Sequence, residues 1–230
     1  MCGRFVGYRK LEQLQEHFPI DMVYAEAAAS YNVSPTQQIL AIARIDGANV
    51  VDKYHWGLVP FWARDTAIGN KMINARSETV ATKAGFRQAF KKRRCLIPAD
   101  GFFEWAGTKG AKQPMFISRP DLAPFAFAGL WESWHNKAFP DRVYRSCTII
   151  TREAAGAVRE LHHRMPVILD PEAYSTWLDP GCQDPQSLSA ILRDHAITDL
   201  VFHPVDKAVN SVRKNDPSNI KPIQTEFEFE

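Results

Sequence analysis

Asp46-Gly47 lies between two apolar runs, QILAIARI and VVDKYHWGLVP. An Asp-Gly pair suits a tight turn with positive φ at its centre, the connection that joins antiparallel strands. The segment therefore predicts a β-hairpin. The same pattern recurs down the chain. CLIPADGFFEW turns through Gly107-Thr108-Lys109-Gly110 into PMFISRP, and FAFAGLWESW and RVYRSCTIIT are further strands. In the last of these, alternation puts Val143, Cys147 and Ile149 on one face. VIL after Pro166 reads as a short strand, LVFHPVDKAVNSV as a closing strand and turn, and YNVSP as a turn or strand edge. Helical spacing marks RKLEQLQEHF, through Leu11, Leu14 and Phe18, and also ARSETVATKAGFRQAF, EAAGAVRELHH and DPQSLSAILRDH. Asp170-Pro171-Glu172 is a helix-start signal leading into YSTWL. Many short strands in hairpins, with four or five helices around them, predict an α+β fold: a mainly antiparallel, β-barrel-like core with flanking helices. With 230 residues and no repeat or clear linker, residues 1–230 read as one domain, with a polar C-terminal tail from about residue 214.

Composition narrows the function classes. The net charge is +2, so contact with nucleic acid must come from a local basic patch. Cys2, Cys95, Cys147 and Cys182 are scattered without metal-ligand spacing and read as free thiols in a reducing compartment. No apolar run approaches membrane-spanning length, and the polar start does not read as a signal peptide. The expectation is a soluble protein without membrane contact, cytoplasmic in a bacterium and nuclear in a eukaryote, with a monomer as the default. No GxGxxG, P-loop, GxSxG or HExxH pattern occurs, so neither a cofactor nor a metal is expected.

The chemistry concentrates at the start, Met1-Cys2-Gly3-Arg4. Cys2 has a small side chain, so Met1 is expected to be trimmed, leaving a 1,2-aminothiol. The reference pKa is about 7.7–8.0 for the amine and about 8.5 for the thiol. An aldehyde can form an imine with that amine and then close with sulfur into a thiazolidine. Elsewhere, Trp56 reads as core, whereas Trp62, followed by Arg64, reads equally as an exposed face for stacking unpaired bases. Glu104 lies among Phe102, Phe103 and Trp105; alternation groups it with Phe102. Pointing inward, it would have a raised pKa suited to proton transfer; pointing outward, it would be solvated. The pair His162-His163 is structural or catalytic on its own evidence. The basic run Arg87, Lys91, Lys92, Arg93 and Arg94 is a solvated face or part of a phosphate path.

Taken in order, MCGRF, YNVSP, WGLVPFW, INARSET, PADGFFEW, LHHRMPVIL and FHPV resemble the SOS response-associated peptidase (SRAP) family along nearly the whole chain. The resemblance implies a mixed β-barrel-like core with flanking helices. It also implies a protective covalent crosslink to abasic sites in single-stranded DNA, the expected partner. Cys2 would be the crosslinking residue, Asn74 would position nucleophile and sugar, Glu104 would transfer protons, and His162 would assist opening of the deoxyribose. Arg4 and Arg76 would contact phosphates, and Trp62 would lie against bases flanking the lesion. Because His163-Arg164 comes directly after His162, either imidazole could face the site. Crosslink reversal, a lyase side reaction and self-removal of Met1 belong to the same expectation. The alternatives are an N-terminal-nucleophile hydrolase, whose cysteine uses its own amine as base, and a non-covalent single-stranded DNA-binding module. A thiolate-only cysteine protease has the least support, since Cys2 comes before any helix that could lower its pKa.

Overall fold

The Asp46-Gly47 turn forms as expected. In the computed structural model its residues have φ of 48° and 84°, and Gln38–Ile45 pairs antiparallel with Ala48–Trp56. The structure describes residues 2–108, 110–136 and 139–223, with the side chains of 139–142 excepted. In chain order the strands are β1 (Phe5–Gly7), β2 (Met22–Val23), β3 (Ser30–Val33), β4 (Gln38–Ile45), β5 (Ala48–Trp56), β6 (Asn74–Arg76) and β7 (Arg94–Ala99). They continue with β8 (Gly101–Ala106), β9 (Gln113–Ser118), β10 (Phe125–Asn136), β11 (Phe139–Glu153), β12 (Arg164–Pro166), β13 (Ile168–Leu169) and β14 (Val201–Pro204). The α-helices are α1 (Leu11–Gln15), α2 (Arg87–Lys92), α3 (Tyr174–Leu178) and α4 (Pro185–Asp194).

Antiparallel pairing links β5, β4, β7, β10 and β11 in that order. A parallel pairing of β11 with β5, through Ser146↔His55 and Cys147↔Trp56, closes the ring into a barrel. Alternation sorts each strand into an inside and an outside. Ala41, Ala43, Trp56, Ile97, Phe127 and Ile149 belong to one buried cluster, inside the barrel. That interior is tight: a Cβ on Gly129 would lie 2.8 Å from Cys95 Sγ and 2.8 Å from Ile97 Cδ1. Ile42, Leu96, Ala128 and Leu130 face outward into a second cluster with Phe90 of α2, Trp177 of α3 and Leu188 of α4. Asp184 caps α4 by accepting from the Ser187 amide at 2.8 Å.

A second sheet, ordered β14-β9-β8-β1-β3, carries the amino terminus and Glu104. Phe5 pairs with Phe102, and Glu104 with Met115. The alternation expected for β8 holds. Phe102 joins the barrel-interior cluster, while Phe103 packs with Val6, Phe116 and Val209 and Trp105 lies against them.

Several local expectations are corrected. In ARSETVATKAGFRQAF only the last four residues, from Arg87, are α-helical, as the start of α2. Asn74–Arg76 instead runs parallel to β11, and the Ser77 amide donates to Thr151 O at 2.8 Å, so sheet pairing overrides helical spacing. EAAGAVRELHH forms a short 3₁₀ turn, Gly156–Glu160, because β11 continues to Glu153 and Gly156 takes φ of 56° against Thr198 O. Arg94 is not solvated: its buried guanidinium donates to the carbonyls of Phe90, Lys91, Trp177 and Asp179, closing the ends of α2 and α3. Val143 continues the face of Cys147 and Ile149 but is exposed. The polar stretch after residue 214 packs onto the fold as far as 223, with Asn219 buried and Lys214 O accepting from Asn32 Nδ2 at 2.7 Å. The remainder of the predicted tail, 224–230, lies outside the described residues.

Candidate active site

Cys2 is held in place through its neighbours Arg4 and Phe5. The Phe5 ring meets Trp56 and Phe127 edge-on, at 5.3 and 5.7 Å, and so anchors the amino terminus in the barrel-interior cluster. Arg4 O accepts from the Phe103 amide at 3.0 Å, and Arg4 Nη1 donates to Asn32 Oδ1 at 2.6 Å and to Val209 O at 2.8 Å. Cys2 is thereby fully buried, and burial, reinforced by the charge of nearby Glu104, pushes its thiol well above the ordinary range.

Asn74 comes from the opposite side. The parallel pairing of β6 with β11 aims its amide at the amino terminus, where Nδ2 donates to Cys2 O at 2.8 Å. Its Oδ1 is buried and accepts no hydrogen bond among the described residues. A buried acceptor without a donor is costly unless something else satisfies it, so this atom is poised for a hydroxyl or amine brought by a ligand.

Glu104 points inward, the first of the two alternatives open in the sequence. Glu104 is 4% exposed, and burial pushes the pKa of its carboxyl up to about 7. A carboxyl with that pKa can give and take a proton near neutral pH. The His162 ring lies at the end of the 3₁₀ turn Gly156–Glu160, and burial lowers its pKa. Nδ1 stands 2.9 Å from the Arg164 amide and 3.1 Å from the Arg164 carbonyl. A neutral ring can accept from the first, and a protonated ring can donate to the second. One orientation therefore serves both protonation states. His163 stacks on this ring at 4.3 Å, so both imidazoles border the site, but these backbone contacts belong to His162.

A cleft of about 810 Å³ opens beside these groups, lined by His162, His163, Trp105, Arg76, Lys112 and Arg159 among others. Arg76 projects into solvent from β6, two residues after Asn74. Lys112 acts electrostatically on both Glu104 and His162, which ties the carboxyl and the imidazole to one locality. Arg4 is committed to packing against Asn32, Val209 and the Trp105 face, 5.7 Å from the ring centroid, at the edge of this locality. Trp62 is 51% exposed and Phe61 beside it 56%, on a loop whose base is pinched where Gly57 meets Gly69. Neither lines the cleft.

The fold thus gathers Cys2, Asn74, Glu104, His162 and Arg76, and sets Trp62 apart. Sequence reasoning missed Trp105, Lys112, Arg159 and Phe61. Trp105 and Phe61 were visible as neighbours of residues already singled out; Lys112 and Arg159 lie in a turn and a 3₁₀ segment that no local pattern directs to the cleft. Among the described residues, no group of three or more His, Cys, Asp or Glu side chains could hold a metal ion.

A family model described as "SOS response associated peptidase (SRAP)" matches residues 1–212. The chain belongs to the SRAP family. Cys2, Asn74, Arg76, Glu104 and His162 all lie within the matched span. The SRAP chain is 41% identical to the abasic site processing protein YoqW of Bacillus subtilis, over 96% of this chain and 99% of that one. It is 42% identical to the abasic site processing protein YoaM of the same organism, over 94% of this chain and 95% of that one. A solved structure from Bacteroides thetaiotaomicron shares the SRAP chain's fold, with a TM-score of 0.81 and 23% identity, covering 97% of this chain and 100% of the other.

Proposed function

We propose that this SRAP chain captures abasic sites in single-stranded DNA as a covalent thiazolidine on Cys2, once Met1 has been removed. The observation that carries the reading is the convergence on Cys2. Asn74 holds its carbonyl at 2.8 Å, the buried carboxyl of Glu104 lies within electrostatic reach, and a cationic cleft opens alongside. The names of the relatives point to the same lesion.

Each residue has its own share of the chemistry. An abasic deoxyribose is mostly a closed hemiacetal, and His162 exchanges the proton that opens it. The Cys2 amine attacks the exposed C1′ aldehyde to give a carbinolamine. Protonated Glu104 delivers a proton to the departing hydroxyl, leaving water, an iminium and the Glu104 carboxylate. The carboxylate then takes the thiol proton as sulfur attacks C1′, which closes the ring and restores the acid. Aldehyde and aminothiol become thiazolidine and water, with no net change in protonation. The buried thiol fixes this order: it is protonated at neutral pH and cannot act until a base is next to it. The same steps run backward give reversal, and β-elimination from the iminium gives a lyase side reaction. Arg76, Lys112 and Arg159 would take the backbone phosphates, and exposed Phe61 and Trp62 the neighbouring bases.

The test is a denaturing gel of purified protein, its N-terminus checked by intact mass, with single-stranded DNA carrying one abasic site. A slow band that survives boiling in detergent and requires both the lesion and Cys2 is expected. Equal bands from wild type and Cys2→Ala would end the reading. Amide hydrolysis with turnover, or binding that detergent abolishes, would point to the hydrolase or the binding module.

A further inference from the structure

Glu78 lies in the INARSET segment but has no part in the crosslinking chemistry. Its carboxylate meets Arg164 through a two-pronged ion pair, Nη1 to Oε1 at 2.6 Å and Nη2 to Oε2 at 3.0 Å. Arg164 is buried at 9% exposure, and Nη2 also donates to Thr151 O at 2.7 Å. Among the described residues Glu78 is the acidic partner that this guanidinium has.

The two ends of this pair lead to opposite walls of the cleft. The Arg164 backbone holds Nδ1 of His162, which can accept from its amide or, when protonated, donate to its carbonyl. Glu78 comes just after β6, which carries Asn74 and Arg76, and the turn between them is fixed by Ser77 N donating to Thr151 O at 2.8 Å. Thr151 O thus receives one donor from each wall, and the Glu78–Arg164 fork spans the same gap.

We propose that Glu78 is a positioning residue for abasic-site capture: its fork to Arg164 clasps the His162 wall to the Asn74–Arg76 wall and sets the imidazole against the sugar. This rests on the proposed crosslinking function. The physical reason is the cost of a buried cation left alone. Without the carboxylate, the Arg164 guanidinium loses its counter-charge and turns toward water, and the backbone that orients His162 moves with it. A shift of about 1 Å in a catalytic group costs on the order of 100-fold in rate.

The test uses Glu78→Gln in the full chain, with Glu78→Asp as a milder second variant should Gln prevent folding. Single-turnover crosslinking to abasic single-stranded DNA is expected to slow by about 10-fold or more. Propanal already presents a free aldehyde, and its capture at Cys2, read by intact mass, is expected to change less than about 3-fold, since no sugar ring has to open. Imidazole ¹⁵N spectra of histidine-labelled protein, without DNA, are expected to show the His162 tautomer balance displaced in the variant. A wild-type protein that gives no crosslink refutes the crosslinking reading and leaves the spectra to decide the clasp. Unchanged His162 signals overturn the clasp, as does an equal slowing for propanal and for DNA.

Discussion

Replacing Glu104 by glutamine should make the protein more stable and less active, and the gain should depend on pH. Glutamine keeps the shape and removes the ionisation. The folded carboxyl titrates at about 7 instead of the ordinary 4.5 because burial disfavours its charge. Below 4.5 the folded and unfolded chains both carry the proton, and the buried site costs nothing extra. Between 4.5 and about 7 the unfolded chain ionises first, so stability falls as pH rises. Above that window both forms are ionised, and at about 1.4 kcal/mol per pH unit the full penalty is about 3 kcal/mol. Glutamine escapes it at every pH. For a chain of this length about 1 kcal/mol moves Tm by about 2–4 °C, so the Tm advantage of Glu104→Gln should widen by about 6–12 °C between pH 4 and pH 8. Differential scanning fluorimetry on proteins with the same processed amino terminus measures it directly. Over that range crosslinking by the variant should stay slow, because no proton is delivered to the carbinolamine. A Tm difference that stays flat with pH would refute the reasoning, since Glu104 would then titrate as an ordinary carboxylate.

Arg76→Ala removes an exposed cation. The salt dependence of non-covalent DNA binding should flatten by about one unit of log–log slope, with Tm unchanged. Asn74→Ala deprives Cys2 O of its donor; a stability cost of about 1 kcal/mol is expected, with a far larger loss in crosslinking rate, read in the same gel. Arg94→Ala leaves the carbonyl acceptors of α2 and α3 without their buried donor, and should cost about 3 kcal/mol or more in chemical denaturation while sparing DNA affinity.

The hairpins were legible because turn chemistry and alternation act locally. Asp46-Gly47 gave β4 and β5, and the spacing in GFFEW correctly paired Glu104 with Phe102 and Phe103 with Trp105. The parallel contacts were not legible. Nothing within β6 announces that it will lie along β11, or that β11 will return to β5, because those pairings are decided by segments far away in sequence. The misread helix after Asn74 has the same origin. At the site, residue types pointed to Cys2 and left Glu104 and the pair His162-His163 open, while Asn74 and the choice of His162 came only from the family resemblance. The reference thiol value near 8.5 holds for a sulfur in water, and burial of Cys2, which no local pattern announces, pushes it up. Arg94 shows the converse: a run of like charges reads as surface until one member is found capping helix ends from within.

The network that holds Arg4 sets an order of events during synthesis. Arg4 and Asn32 bond to Val209, and Asn32 also reaches Ser211 and Lys214, so the amino terminus cannot settle until the far end of the chain has left the ribosome. At about 5–20 residues per second, emergence of a partner roughly 200 positions downstream takes about 10 to 40 seconds. For that interval the first residues are open to an aminopeptidase, and afterwards Cys2 is enclosed. On the proposed chemistry, trimming of Met1 by an aminopeptidase would belong to translation. Protein made faster than it is trimmed would lock away an inert amino terminus, leaving a fraction of well-folded molecules that never react.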